Sequence, residues 1–232
     1  MPNIVTHLAI TARVAPEASS SLLLGSALPD FLGMYRDHCG VRIRLAEVDS
    51  PELALGCRLH IATDSVFDRQ PLKHQLVQEL TSDLQGTGLG RGAIRACADP
   101  GTEILLDSTI LADKDGRLVY DRVKAAVLAS EVDLESIGDL GLKEGIERYF
   151  TEDRAFSYQD PHKVAQIMHH RLQARSRQVL AFEKSQIPIV TEAFKSQQIR
   201  LRERAWPLLH ATIAGMDEAV LQLIPPERPS AD

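Results

Sequence analysis

Apolar residues recur along this chain at spacings of three and four, and alternating Val/Ile/Thr runs are missing, so the pattern is that of amphipathic helices. Ile4, Leu8 and Ile10 begin a short apolar element. Ser19 or Ser20 can cap a helix running toward Gly33, and the stretch from Tyr35 to Ser50 reads as polar and irregular. Ser50-Pro51-Glu52 opens a strong helix, with Ser as cap and Pro at the first helical position. Leu53, Ala54, Cys57, Ile61 and Val66 supply its apolar positions, and it ends before Pro71. A further helix covers 72–84. Gly86, Gly88, Gly90 and Gly92 predict a hinge between helices rather than a phosphate cradle, because neither Gly-Lys-Ser/Thr nor GxGxxG spacing is present. A helix over 94–111 follows, disturbed at Pro100-Gly101, and then a turn from Asp113 to Gly116. Shorter helices fill 117–150. Two long ones cover 161–183 and 189–223, the second kinked at Pro207. The expectation is an all-α, single-domain helical bundle over 1–224 with a frayed tail at 225–232.

Composition changes this picture little. The 232 residues suit one domain, and with aromatics at 5% the core has to be built from Leu, Ile, Val and Ala. A formal net charge of −6 speaks against a general nucleic-acid binder. Cys39, Cys57 and Cys97 sit at no metal-like spacing and fit a reducing compartment. No basic start precedes the first apolar run, and no run approaches the ~18 apolar residues of a membrane span, so a soluble cytoplasmic protein is expected.

The candidate chemistry lies in polar residues inside apolar helices. His60, Asp64 and Asp68 are spaced i, i+4, i+8, one line along a helix face. Glu103 and Asp107 repeat the i, i+4 spacing with an apolar trio between them. His7 lies in Ile4-Val-Thr-His-Leu-Ala-Ile, and Asp30 in Leu28-Pro-Asp-Phe-Leu. Taken singly, each has a structural explanation: a satisfied core histidine, a cap, a solvated edge. Their recurrence points instead to a divalent metal site in a bundle core, where a cation offsets the repulsion and desolvation of clustered carboxylates. His169 and His170, about 100° apart on a helix, cannot easily face one metal and read as wall or surface residues.

These residues resemble the acyl carrier protein phosphodiesterase family. Asn3-Ile-Val-Thr-His7-Leu-Ala is similar to its Asn-Phe-Leu-Ala-His-Leu, and Gly25-Ser-Ala-Leu-Pro-Asp30-Phe to its Gly-Asn-Leu-Leu-Ala-Asp-Phe. Gly56 to Pro71 resembles its Gly-Ile-x-x-His-Arg-x-Ile-Asp-x-x-Thr-Asp-x-x-Pro, with His60, Asp64, Asp68 and Pro71 in register. The Glu103–Asp107 segment resembles its Asp-x-x-x-Asp-His, and Leu172-Gln-Ala-Arg175 its Met-Ser-x-Arg. The resemblance implies an HD-domain-like metallohydrolase that releases 4′-phosphopantetheine from acyl carrier protein. It implies a metal, manganese foremost with iron, zinc or magnesium as alternatives, at His7, Asp30, His60, Asp64 and Asp107. Asp64 or Asp107 would orient the water, and Arg58 would offset phosphate charge. Asp68, Glu103 and Arg175 would stand around the site. The chain departs from the family at Ser108, where the family has His, and at Ile61-Ala62, where it has Arg-x. A zinc-dependent phospholipase-C-like hydrolase and a degenerate helical binding module are the alternatives.

The expected partner is acyl carrier protein or a small phosphodiester. Residues 171–204 carry Arg171, Arg175, Arg177, Lys184, Lys195, Arg200, Arg202 and Arg204 against Glu183, Glu192 and Glu203. The stretch is a solvated helix surface or a docking face for an acidic protein.

Overall fold

The structure, a computed structural model, describes residues 3–39, 48–175 and 182–216, with the backbone alone for 35–39 and 174–175. Cys39 and Arg175 therefore have no described side chain, and the tail at 225–232 lies outside the described residues.

The described residues are all-α and form one bundle with a continuous core, as the spacing predicts. The helices are α1 (Ile4–Val14), α2 (Ser20–Cys39), α3 (Pro51–Phe67), α4 (Pro71–Leu84) and α5 (Arg91–Ala112). α6 (Lys114–Leu128), α7 (Leu140–Thr151), α8 (Pro161–Arg175) and α9 (Ile187–Ala214) follow, with short 3-10 turns at Glu135–Ile137, Arg154–Gln159 and Lys184–Gln186. The expected caps are present: Ser19 Oγ accepts from Leu22 N at 3.1 Å and Ser50 Oγ from Leu53 N at 3.4 Å. Gly86 and Gly88 have φ of +79° and +80°, so the connection from α4 to α5 uses the left-handed backbone that glycine permits.

Two expected boundaries are corrected. α2 does not stop near Gly33 but runs on to Cys39, because a single glycine costs a helix only ~1 kcal/mol and no proline follows it. Asp113 opens no free turn: its side chain accepts from Asp115 N at 2.9 Å and caps α6. Asp is as much a cap residue as a turn residue, and the two readings share one sequence signal. Gly116 lies inside α6, where a Cβ would come within 2.2 Å of Ile110 O. α8 is described as far as Arg175, and α9 begins at Ile187 and runs through Pro207.

Two features position the site. α1 and α5 are buried nearly all round, from Ile4 to Thr11 and from Ile104 to Ser108, so polar groups on them face protein on every side. α2 and α3 cross with backbone against backbone: a Cβ on Gly25 would stand 2.4 Å from Leu53 O, and one on Gly56 2.4 Å from Leu22 O. This close crossing sets Ser26 on α2 beside His60 on α3.

Candidate metal centre

His7 on α1 and His60 and Asp64 on α3 bring two imidazoles and a carboxylate to one point. Asp64 Oδ1 lies 3.1 Å from His7 Nε2, and Oδ2 lies 3.1 Å from His60 Nε2. The rings stack with centroids 3.8 Å apart. Both are buried, whereas the Asp64 side chain is 46% exposed, so the cluster opens to solvent on its carboxylate side. These three residues could hold a metal ion. Two imidazole nitrogens and a carboxylate with an open side are a donor set that suits a transition metal.

Hydrogen bonding sets the orientation of one ring. His60 Nδ1 lies 2.7 Å from the carbonyl of Ser26, an acceptor, so it carries the proton and leaves Nε2 to face Asp64. Burial and the neighbouring His60 hold His7 below the ordinary imidazole range. Burial works the same way on His60, but its hydrogen bond to Asp64 and the fields of Asp30 and Asp64 outweigh it and push His60 up. Burial pushes Asp64 up, yet the two imidazoles at hydrogen-bond distance pull it well below the usual carboxylate range. Asp64 thus pairs with both imidazoles, one through each oxygen.

The other expected residues divide. Asp30 accepts from Asn3 N at 2.9 Å through Oδ2, and its field acts on both imidazoles, so it stands beside the cluster. Asp107 is not brought into it. Its carboxylate caps α1 from outside: Oδ2 accepts from Val5 N at 3.1 Å, and Oδ1 from Thr6 N at 2.8 Å and Thr6 Oγ1 at 2.7 Å. Ser108 is buried and donates to Leu105 O at 2.8 Å. Arg58 is exposed, two residues and so about 200° around α3 from His60.

Asp68 and Glu103 belong to a second cluster, around Lys73. The buried Lys73 ammonium bonds Asp68, reaches Glu103 Oε1 at 2.8 Å and Asp99 Oδ1 at 3.3 Å, and lies 4.8 Å from the Phe67 ring centroid. The three carboxylates hold Lys73 above its ordinary range, although burial opposes them. Glu103, the most buried of the three, is pushed up to about 7 by burial, against the pull of Lys73. The sequence reading passed over Lys73. Its signal was that it stands on the apolar stripe of Leu76, Leu80 and Leu84, where a solvated lysine has no place.

Spacing within a helix marks none of Ser26, Thr6, Tyr149 or Tyr158 as site residues, nor Asn3 beyond the family resemblance. Tyr149 Oη is buried with no hydrogen-bond partner. Burial pushes both phenols up, Tyr158 to about 12, and both lie in the fields of Asp107 and Asp30, with Arg171 also acting on Tyr158. His169 Nδ1 donates to Phe182 O, 2.8 Å away, and the ring serves as a wall residue. In the basic stretch, Arg200 pairs with Asp83 at 2.7 Å, Arg204 with Glu79 at 2.8 Å and Lys195 with Glu192 at 2.7 Å. Asp83 and Glu79, outside the stretch, thus offset Arg200 and Arg204, whereas Lys195 pairs within it.

No helix among the described residues is long and apolar enough to cross a membrane. The chain matches no protein-family model, no curated protein and no solved structure.

Proposed function

We propose that the protein is a metal-dependent hydrolase of a small phosphodiester, with a divalent ion, manganese foremost, at His7, His60 and Asp64. The observation that carries this reading is the convergence of two Nε2 atoms on one half-exposed carboxylate. Three of the residues through which the chain resembles the phosphodiesterase family thus meet at one point, and the field of a fourth, Asp30, acts on both imidazoles. A bound ion would supply Lewis acidity toward the phosphoryl oxygen and lower the pKa of a water. His60 presents Nε2 because Ser26 holds its Nδ1 proton. Asp64 closes the donor set and leaves its exposed side to substrate. Asp30, rather than Asp107, would take the proton from the attacking water, since the Asp107 oxygens hold the start of α1. Arg58 is exposed about 200° around α3 from His60, so it is not assigned to the charge on the phosphate.

A small phosphodiester is preferred to acyl carrier protein because Arg200 and Arg204 are engaged by α4. One observation favours a binding module of the same fold: Ser108, where a further imidazole would strengthen the donor set, is buried and bonded to Leu105 O.

Elemental analysis of protein purified without chelator tests the centre. About one Mn, Fe, Zn or Mg per chain is expected, and His60→Ala and Asp64→Ala should abolish it. Hydrolysis of an aryl phosphodiester should vanish in both variants and persist in Arg58→Ala. Metal bound without turnover by any ion would select the binding module. No metal, and no change of stability in EDTA, would end the metal reading.

A further inference from the structure

We propose that Asn3 is the positioning residue for His7, its carboxamide oxygen accepting the Nδ1 proton of that ring when Nε2 ligates the metal. The inference rests on the metal centre proposed above and adds a residue to it.

Asn3 is the N-cap of α1, and an asparagine there ordinarily accepts from the second or third helical N–H with its own side chain. Here it makes no such bond. The N–H groups of Val5 and Thr6, the second and third of the helix, go to Asp107 instead. The main chain of Asn3 is fully used: its N–H donates to Asp30 and its carbonyl accepts from His7 N at 3.1 Å. The carboxamide is thereby released from capping, yet Asn3 is only 5% exposed and its Oδ1 is buried with no partner.

His7 Nδ1 is buried without a partner as well. The two orphans belong to residues at i and i+4 on one helix face, and helical side chains lean toward the N-terminus, so the His7 ring leans over Asn3. A buried polar group left unpaired costs ~1–3 kcal/mol, and here an acceptor and a potential donor one helical turn apart each carry that cost. Ligation settles the complementarity. Once the Nε2 lone pair is committed to a metal, the imidazole proton sits on Nδ1 and requires an oxygen. Asn3 Oδ1 supplies it, as the Ser26 carbonyl does for His60. Both rings would then be fixed by oxygen acceptors from outside the donor set.

The test uses the full chain and Co²⁺ as probe. Wild type, Asn3→Leu, Asn3→Ala and Asn3→Asp are titrated by visible absorption, and the loaded proteins are examined by proton NMR in water. Wild type should show two exchangeable, strongly shifted imidazole N–H resonances. Asn3→Leu and Asn3→Ala should bind Co²⁺ about tenfold more weakly and lose one resonance to solvent exchange. Asn3→Asp, which keeps the acceptor, should restore both. A structural role alone would not move the resonance count. Wild-type affinity with both resonances in Asn3→Leu or Asn3→Ala overturns the assignment and leaves the metal centre standing. Failure of wild type to bind Co²⁺ overturns the centre and the assignment together.

Discussion

Asp107→Ala separates a capping carboxylate from a metal ligand. Asp107 is fully buried and gives its two oxygens to Val5 N, Thr6 N and Thr6 Oγ1. Truncation leaves two buried N–H donors without partners, at ~1–3 kcal/mol each, while the Thr6 hydroxyl can turn to another acceptor. It also removes a negative group from the positive end of α1. Part of the loss returns, because burial pushes the Asp107 carboxyl well above the usual range against its Thr6 and Val5 donors, so its charge is itself costly. The net expectation is about 3 kcal/mol of destabilisation, a large share of the ~5–15 kcal/mol that holds a domain folded. With a urea m-value of ~3 kcal/mol/M, the unfolding midpoint should fall by about 1 M. The assay is urea unfolding followed by circular dichroism in EDTA, so that no ion contributes. Thr6→Val, which removes one of the three bonds, should lose about 1 kcal/mol. An unchanged midpoint for Asp107→Ala in EDTA, with a loss only when metal is added, would refute the cap and make Asp107 a ligand.

Glu103 should make stability fall with rising pH. Its folded pKa of about 7 lies above the ordinary 4.5, so between those values the folded chain keeps a proton that the unfolded chain sheds. Glu103→Gln should remove up to ~1.4 kcal/mol per pH unit of downward slope between pH 4.5 and 7 in urea titrations; the same slope in variant and wild type would exclude Glu103 as its source. Arg200→Glu with Arg204→Glu should lower stability by on the order of 1 kcal/mol per site, by setting like charges against Asp83 and Glu79. Acyl carrier protein binding that weakens in this variant while its stability stays unchanged would restore the docking face.

Helices were the legible part of this chain, because each carries its own signals. Ser50-Pro51 marked the start of α3, and the apolar spacing marked its length. The line of His60 and Asp64 was legible for the same reason, since both lie on one helix face. Asp68 shares that line but turns to Lys73, and spacing within one helix does not reveal what a neighbouring helix offers. Asp107 looked like a ligand because it is an acid among Leu residues. Its actual partners are two main-chain N–H groups and the Thr6 hydroxyl, a hundred residues away, which spacing within one helix does not encode. Asn3 was hidden for the converse reason, since an Asn ahead of an apolar run reads as a cap until another residue is found doing that work.

The crossing of α2 over α3 leaves the site no slack. At Gly25 and Gly56 each helix meets the other's main chain, so an added methyl finds no rotamer to adjust. It can be absorbed only if α3 lifts or slides as a rod, toward the ~8–10 Å axis separation of ordinary helix pairs. Such a shift draws His60 away from the Ser26 carbonyl on α2 and Asp64 away from His7 on α1. Two hydrogen atoms, one on each glycine, thus act as the gauge that sets the span between His7, His60 and Asp64, and Gly25→Ala or Gly56→Ala would register in that span.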